Sequence, residues 1–120
     1  MKGLLLKPSM NYEAPRLETI ELSGELDDLQ KAVDGLIEGV YDLDQHNISM
    51  FCNDEGKFLK LEPCLWIYER QDVIFGNVVF IGVDDEGRDI ELTEEQMQIV
   101  KEYVNTNIFT FMDLLKILRG

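Results

Sequence analysis

Little of the usual catalytic inventory is present in this sequence. It has one histidine, His46, so any serine–histidine or cysteine–histidine mechanism would have to pass through that residue. His46 lies in a polar connector, Asp44-Gln45-His46-Asn47, with no nucleophile motif around it. No glycine-rich phosphate loop occurs, neither G-x-G-x-x-G nor G-x-x-x-x-G-K-S/T. The two cysteines, Cys52 and Cys64, lack the four ligands at paired spacings that a zinc site needs. They read as buried free thiols, with a disulfide between them as the alternative. No apolar run approaches the ~20 residues of a membrane span. The opening Met1-Lys2-Gly3-Leu4-Leu5-Leu6-Lys7-Pro8 has an apolar core too short for a signal peptide, and reads as a first strand of a cytoplasmic protein.

Basic residues are also scarce. Eleven Lys and Arg stand against 24 Asp and Glu, a net charge of −13 on 120 residues. Such a surface repels nucleic acid and anionic membrane and attracts basic partners. From Asp84 to Glu95 there are seven acids and one base, Arg88; from Glu18 to Asp44 there are nine acids and one base, Lys31. The acids of the later run, Asp84, Asp85, Glu86, Asp89, Glu91, Glu94 and Glu95, form a candidate docking face for a basic protein; a solvated face that gives solubility is the plainer alternative. The chain is 45% hydrophobic, too apolar for a disordered acidic tail and enough for one core. A single domain over residues 1–120 follows.

The pattern along the chain predicts elements. Lys2–Lys7 reads as a strand, and Met10–Pro15 as a loop. Arg16–Leu22 alternates as a strand, with Ile20 and Leu22 facing inward. Leu26, Leu29, Val33 and Leu36 mark a helix from Gly24 to about Asp34, stopped at Gly35. Leu36–Leu43 and Ile48–Asn53 read as strands. Asn53-Asp54-Glu55-Gly56-Lys57 and Asp84-Asp85-Glu86-Gly87-Arg88 share turn chemistry, and each predicts a hairpin; the first would return along Phe58–Leu61, with Pro63 as a break. Leu65–Glu69 reads as either strand or helical turn. Val73–Val83 reads as one strong strand, bent at Gly76, with Val78–Ile81 buried on both faces. Thr93-Glu94-Glu95-Gln96 fits a capping box, opening a helix with Met97, Val100 and Val104 on one face and a weak point at Asn105-Thr106-Asn107. Residues 106–120 read as an apolar helix that dimerises or docks.

Two metal readings are weak on chemistry. Asp42-x-Asp44-x-His46 offers three ligands on a connector. Asp84-Asp85-Glu86-Gly87 crowds its acids and places glycine too early for a calcium loop. No metal or cofactor is predicted. Trp66, Tyr68 and Arg70 are the candidate contacts for a small ligand, should a pocket form there.

Four blocks in this order resemble a known family: Gly35-Leu36-Ile37-Glu38-Gly39-Val40, Asn53-Asp54-Glu55-Gly56-Lys57-Phe58, Asp72-Val73-Ile74-Phe75-Gly76-Asn77-Val78-Val79-Phe80-Ile81-Gly82, and Leu92-Thr93-Glu94-Glu95-Gln96. The family is one of small uncharacterised proteins, catalogued as a domain of unknown function, carried by bacteriophages, integrative elements and Gram-positive bacterial genomes. The resemblance covers roughly residues 2 to 100. It departs between Leu61 and Arg70, and the tail after Val104 looks particular to this chain. It implies no catalytic residues. The expected fold is α+β: a mostly antiparallel sheet of about five or six strands, one internal helix and a helical C-terminus. The expected role is a non-enzymatic interaction protein of a mobile element. The alternatives are a module that sequesters a small molecule or nucleotide signal at a dimer interface and, with least support, a small hydrolase.

Overall fold

The computed structural model describes residues 1–8 and 14–108. Its organising element is the apolar run Val78–Ile81. All four residues are fully buried, so this strand needs cover on both faces and partners on both edges. It is the centre of a six-stranded antiparallel sheet. In chain order the sheet contains β1 (Lys2–Lys7), β2 (Arg16–Glu21), β3 (Ile37–Val40) and β4 (Ile48–Asn53). The β5 (Pro63–Ile67) and β6 (Asp72–Phe75) strands form a separate two-stranded sheet, and β7 (Val78–Val83) and β8 (Asp89–Ile90) return to the main one. The main order is β2-β1-β7-β4-β3, with β8 beside the end of β7.

The two faces of the sheet bury different partners. Leu5, Val79 and Ile81 meet Leu29, Ala32 and Val33 of α1 (Leu26–Val33). On the other face Leu4, Leu6, Met50 and Phe80 meet Val100 and Val104 of α2 (Glu94–Asn107), together with Leu65 and Ile74 of the β5–β6 pair. Each fully buried large side chain contributes about 1.5–3 kcal/mol, so Val78 and Phe80 anchor one layer and Val79 and Ile81 the other.

The α+β class, the antiparallel sheet and the C-terminal helix are as the sequence predicts. So are β1, β2 and β4, the β7–β8 hairpin, and the Thr93/Gln96 capping box, in which Gln96 N donates to Thr93 Oγ1 at 3.1 Å and Thr93 N to Gln96 Oε1 at 3.0 Å.

Several expectations fail, each for a physical reason. Phe58–Leu61 is no strand: residues 54–60 are a run of turns, and Phe58 is 85% exposed. Both edges of β4 are already taken, by β3 and β7, so no edge remains for a hairpin return. Pro63 begins β5 instead of breaking a strand, which suits a residue without an N–H at a strand start. Leu65–Ile67 is strand, and Tyr68–Arg70 a 3₁₀ turn. Val73–Val83 is two strands, not one, because Gly76 at φ +85° turns the chain between β6 and β7. In α1 the inward face is Leu29, Ala32 and Val33; Leu26 and Leu36 are more than half exposed. Its stop is Asp34 in the left-handed region, not Gly35. The weak point at Asn105–Asn107 is where α2 ends, and Ile108 leaves it extended to bridge Leu65. Cys52 and Cys64 are buried free thiols. Of the predicted loop Met10–Pro15, residues 10–13 lie outside the described residues, as do residues 109–120 of the predicted apolar helix over 106–120.

Candidate functional site

Two surfaces gather the residues that could do chemistry or bind. The first is the acidic corner. Asp84 opens the β7–β8 turn, and its Oδ1 accepts from the backbone N–H of Glu86 and of Arg88, both at 2.9 Å. Arg88 Nε donates to Asp84 Oδ2 at 3.0 Å, and Arg88 Nη2 lies 3.0 Å from Glu86 Oε2. The backbone N–H of Arg88, more than its guanidinium, holds the Asp84 carboxyl below the usual range. The run's single cation is therefore engaged by two of its acids.

The other acids divide. Glu91 Oε1 accepts from Lys2 N at 2.8 Å, which ties it to β1. Asp89 is half-buried, and desolvation raises its pKa. Asp85, Glu94 and Glu95 are exposed and carry no ion pair among the described residues. One oxygen shows how the two segments lie relative to each other. The Asn47 carbonyl accepts from Val83 N and from Gln96 Nε2, each at 3.0 Å. The strand end that enters the acidic hairpin and the first turn of α2 thus meet at one corner. Glu94 and Glu95 in that turn also face the favourable end of the helix dipole.

The second surface is a cleft of about 470 Å³ between β3 and β6. Its charged walls are Glu38, Asp42, Asp54 and Asp72, against Lys57 and Arg70. The cations are bound to carboxylates: Lys57 Nζ to Asp72 Oδ1 at 2.7 Å, and Arg70 Nη1 to Asp42 Oδ1 at 2.5 Å. Tyr103 of α2 donates its hydroxyl to Asp42 Oδ2 at 2.6 Å. The hydrogen bond from Lys57 holds the Asp72 carboxyl low. Burial first, and then the Asp42 carboxylate, push the Tyr103 phenol up. This chain of contacts joins α2, the end of β3, the turn before β6, and the loop after β4.

The cleft has no ready nucleophile among its described walls. Cys52 lines it, but burial and then the Glu38 carboxylate push its thiol up to about 11, so it stays protonated near neutral pH. Burial likewise drives the Cys64 thiol upward. His46 sits exposed on the 3₁₀ turn Asp44–His46 and is not among these walls. Among the described residues no three His, Cys, Asp or Glu side chains converge as a metal site would require. Asp42, read from sequence with Asp44 and His46, is instead held by Arg70 and Tyr103.

Of the three residues singled out for a small ligand, the structure brings Arg70 into the cleft. Trp66 alternates with the buried Leu65 and Ile67 and is not among the cleft walls. Tyr68 opens its 3₁₀ turn, and its side chain lies outside the described set. Sequence reasoning missed Asp42, Lys57, Asp72 and Tyr103 as a group. Their contacts span as many as 61 residues of separation, and no local pattern carries them.

No helix among the described residues is long and apolar enough to cross a membrane. No curated protein and no solved structure matches the chain. A family model described as "Domain of unknown function (DUF3846)" matches residues 1–105, and the chain belongs to that family.

Proposed function

We propose that this chain is a non-enzymatic interaction protein that meets a basic partner at its acidic corner, through Asp85, Glu94 and Glu95 with Asp84, Glu86, Asp89 and Glu91 around them. The observation that carries this reading is the shared Asn47 carbonyl, which brings the strand end entering the acidic hairpin and the start of α2 together. Opposed charge then steers a basic protein toward that corner and sets the salt dependence of binding. The mobile-element setting rests on the sequence resemblance alone.

Zero-length carbodiimide coupling tests this reading, because it joins carboxylates directly to lysine amines. In cells of the source organism, crosslinks from Asp85, Glu94 or Glu95 to lysines of one partner protein are expected. The set Asp85→Asn, Glu94→Gln and Glu95→Gln should remove them. Crosslinks that survive these changes, or that leave only from the cleft acids, count against the reading.

The second reading is sequestration of a small molecule or nucleotide signal at a dimer interface. Arg70 in the cleft is its supporting observation, and an incoming anion would have to displace Asp42 and Asp72 from that guanidinium. Stabilisation by several degrees with one nucleotide in a thermal-shift screen would favour it.

A further inference from the structure

We propose that the open edge of β3 takes an extended basic peptide as an added strand of the main sheet, with the neighbouring cleft receiving the peptide's cationic side chains. The inference shares with the corner reading only the charge of the partner. The surface is a different one.

The backbone of β3 sets the geometry. Among the described residues this strand is the last in the sheet order and pairs with β4 alone. Asp54 N donates to Leu36 O at 2.8 Å, which extends by one pair the register that sets Ile37 opposite Asn53. Hydrogen-bonded and non-hydrogen-bonded pairs alternate along an antiparallel ladder. Glu38↔Cys52 and Val40↔Met50 are therefore hydrogen-bonded pairs. The other side of β4 agrees: Val83 N donates to Asn47 O at 3.0 Å, which directs Ser49 and Phe51 to β7 and leaves Met50 and Cys52 for β3. The N–H and C=O groups of Ile37 and Gly39 then point away from the sheet, toward the open edge.

Open edges are normally guarded, and the two edges of this sheet differ. At the far edge β2 carries Arg16, Glu18 and Glu21, with Lys7 paired to Glu18 at 2.9 Å. Charge of that density discourages strand addition. In contrast β3 reads Ile-Glu-Gly-Val, flanked by Leu36 at 57% and Tyr41 at 75% exposure. Its single charge is Glu38. A strand added there would find apolar contact at Tyr41, beside Gly39, on one face.

On the other face it would find the cleft. Residues 38–42 make one wall and residues 72–75 of β6 another, so the space is bounded by two lengths of extended chain. Four carboxylates against two engaged cations leave this slot two charges negative. Residues opposite one another on adjacent strands share a face, so a lysine or arginine opposite Glu38 would point at Glu38, Asp54 and Asp72. Backbone hydrogen bonds supply affinity in such strand addition, and alternate side chains supply specificity. A second copy of this chain would bring a further net charge of −13 to an already acidic slot, and a basic peptide is the complementary occupant.

The test is amide NMR on the whole chain, titrated with an acetylated, amidated peptide of alternating lysine and valine about eight residues long, a typical strand length. Ile37 and Gly39 amides should shift and become protected from hydrogen exchange. The same peptide N-methylated on alternate backbone nitrogens should bind about tenfold more weakly or worse, a loss of about 1.4 kcal/mol. Gly39→Pro, which deletes an outward N–H without removing a β3–β4 hydrogen bond, and Glu38→Lys should each weaken binding similarly. The methylated peptide keeps the proposal testable if Gly39→Pro does not fold. Asp85→Asn with Glu94→Gln and Glu95→Gln should leave this binding unchanged, so the edge and the corner can fail separately. Absent binding, shifts confined to the corner, equal binding of the methylated peptide, or Gly39 protection that rises with protein concentration alone would each overturn it, the last in favour of a second copy.

Discussion

The two Asp-Glu-Gly turns are nearly identical in letters and opposite in use. In the first, the root residue Asn53 is 4% exposed, and its Nδ2 donates to Val33 O at 2.9 Å while its Oδ1 accepts from Glu55 N at 2.8 Å. Gly56 has no positive φ; it is glycine because a Cβ there would lie 2.6 Å from the Phe75 carbonyl oxygen. In the second turn Gly87 has φ +81° and open space around it. One glycine answers to space and the other to backbone conformation. The first turn is built into the junction of α1, β4 and β6. The second closes a surface hairpin: it engages the Asp84 carboxylate and leaves those of Asp85 and Glu86 exposed. Turn chemistry therefore fixes where the chain reverses, and the surroundings decide whether the reversal becomes a hairpin.

Substitutions should separate the two turns by size of effect. Asn53→Asp is the most damaging: the introduced carboxylate cannot donate to the buried Val33 carbonyl, and unfolding by denaturant should show a loss of about 3 kcal/mol at neutral pH. Burial would raise the introduced group's pKa above its unfolded value. Its penalty is thus complete at high pH and should shrink as the carboxyl is protonated in acid. Gly56→Ala follows, at about 1–3 kcal/mol, because backbone rather than a flexible side chain stands in the way. Gly87→Ala should cost about 1 kcal/mol, the strain of a left-handed alanine, with no packing component. The smallest stability effect belongs to Asp85→Asn, Glu94→Gln and Glu95→Gln, each within about 0.5 kcal/mol. Equal losses at Gly56 and Gly87 would dissolve the contrast.

A chemical probe sharpens the same comparison. Cys52, next to Asn53, should resist an aromatic disulfide reagent at pH 8 in the folded chain and react at once in denaturant, since its thiol is pushed up to about 11. With the folded pKa above the unfolded one, stability falls as pH rises from the unfolded thiol's range, near 9, to about 11. At the exposed turn Asp84 should titrate below the usual carboxylate range by carbon-detected NMR, because the Arg88 and Glu86 N–H groups hydrogen-bond its charged form.

What could be read from the sequence divides along the same line. Elements whose signal is local were legible: the doubly buried Val78–Ile81 run, the capping box at Thr93 and the β7–β8 hairpin. The first turn misled because local turn letters cannot report that both edges of β4 are occupied. The break at Gly76 read as a bend, since nothing local tells a bulge from a change of sheet. At the candidate sites, the excess of acid was legible from composition, and its meeting at one corner was not, because that depends on the Asn47 carbonyl accepting from two remote segments. The Asp42–Arg70–Asp72–Lys57 chain with Tyr103 had no sequence signature for the same reason.

The acidic corner is tested most directly by measuring a captured partner's affinity across ionic strength, for the native chain and for the Asp85→Asn, Glu94→Gln, Glu95→Gln variant, with thermal unfolding followed in parallel. The native affinity should fall steeply with added salt, and the variant should bind weakly with a flatter salt dependence while melting at nearly the native temperature. Equal affinity and equal salt dependence in two equally stable proteins would contradict the account.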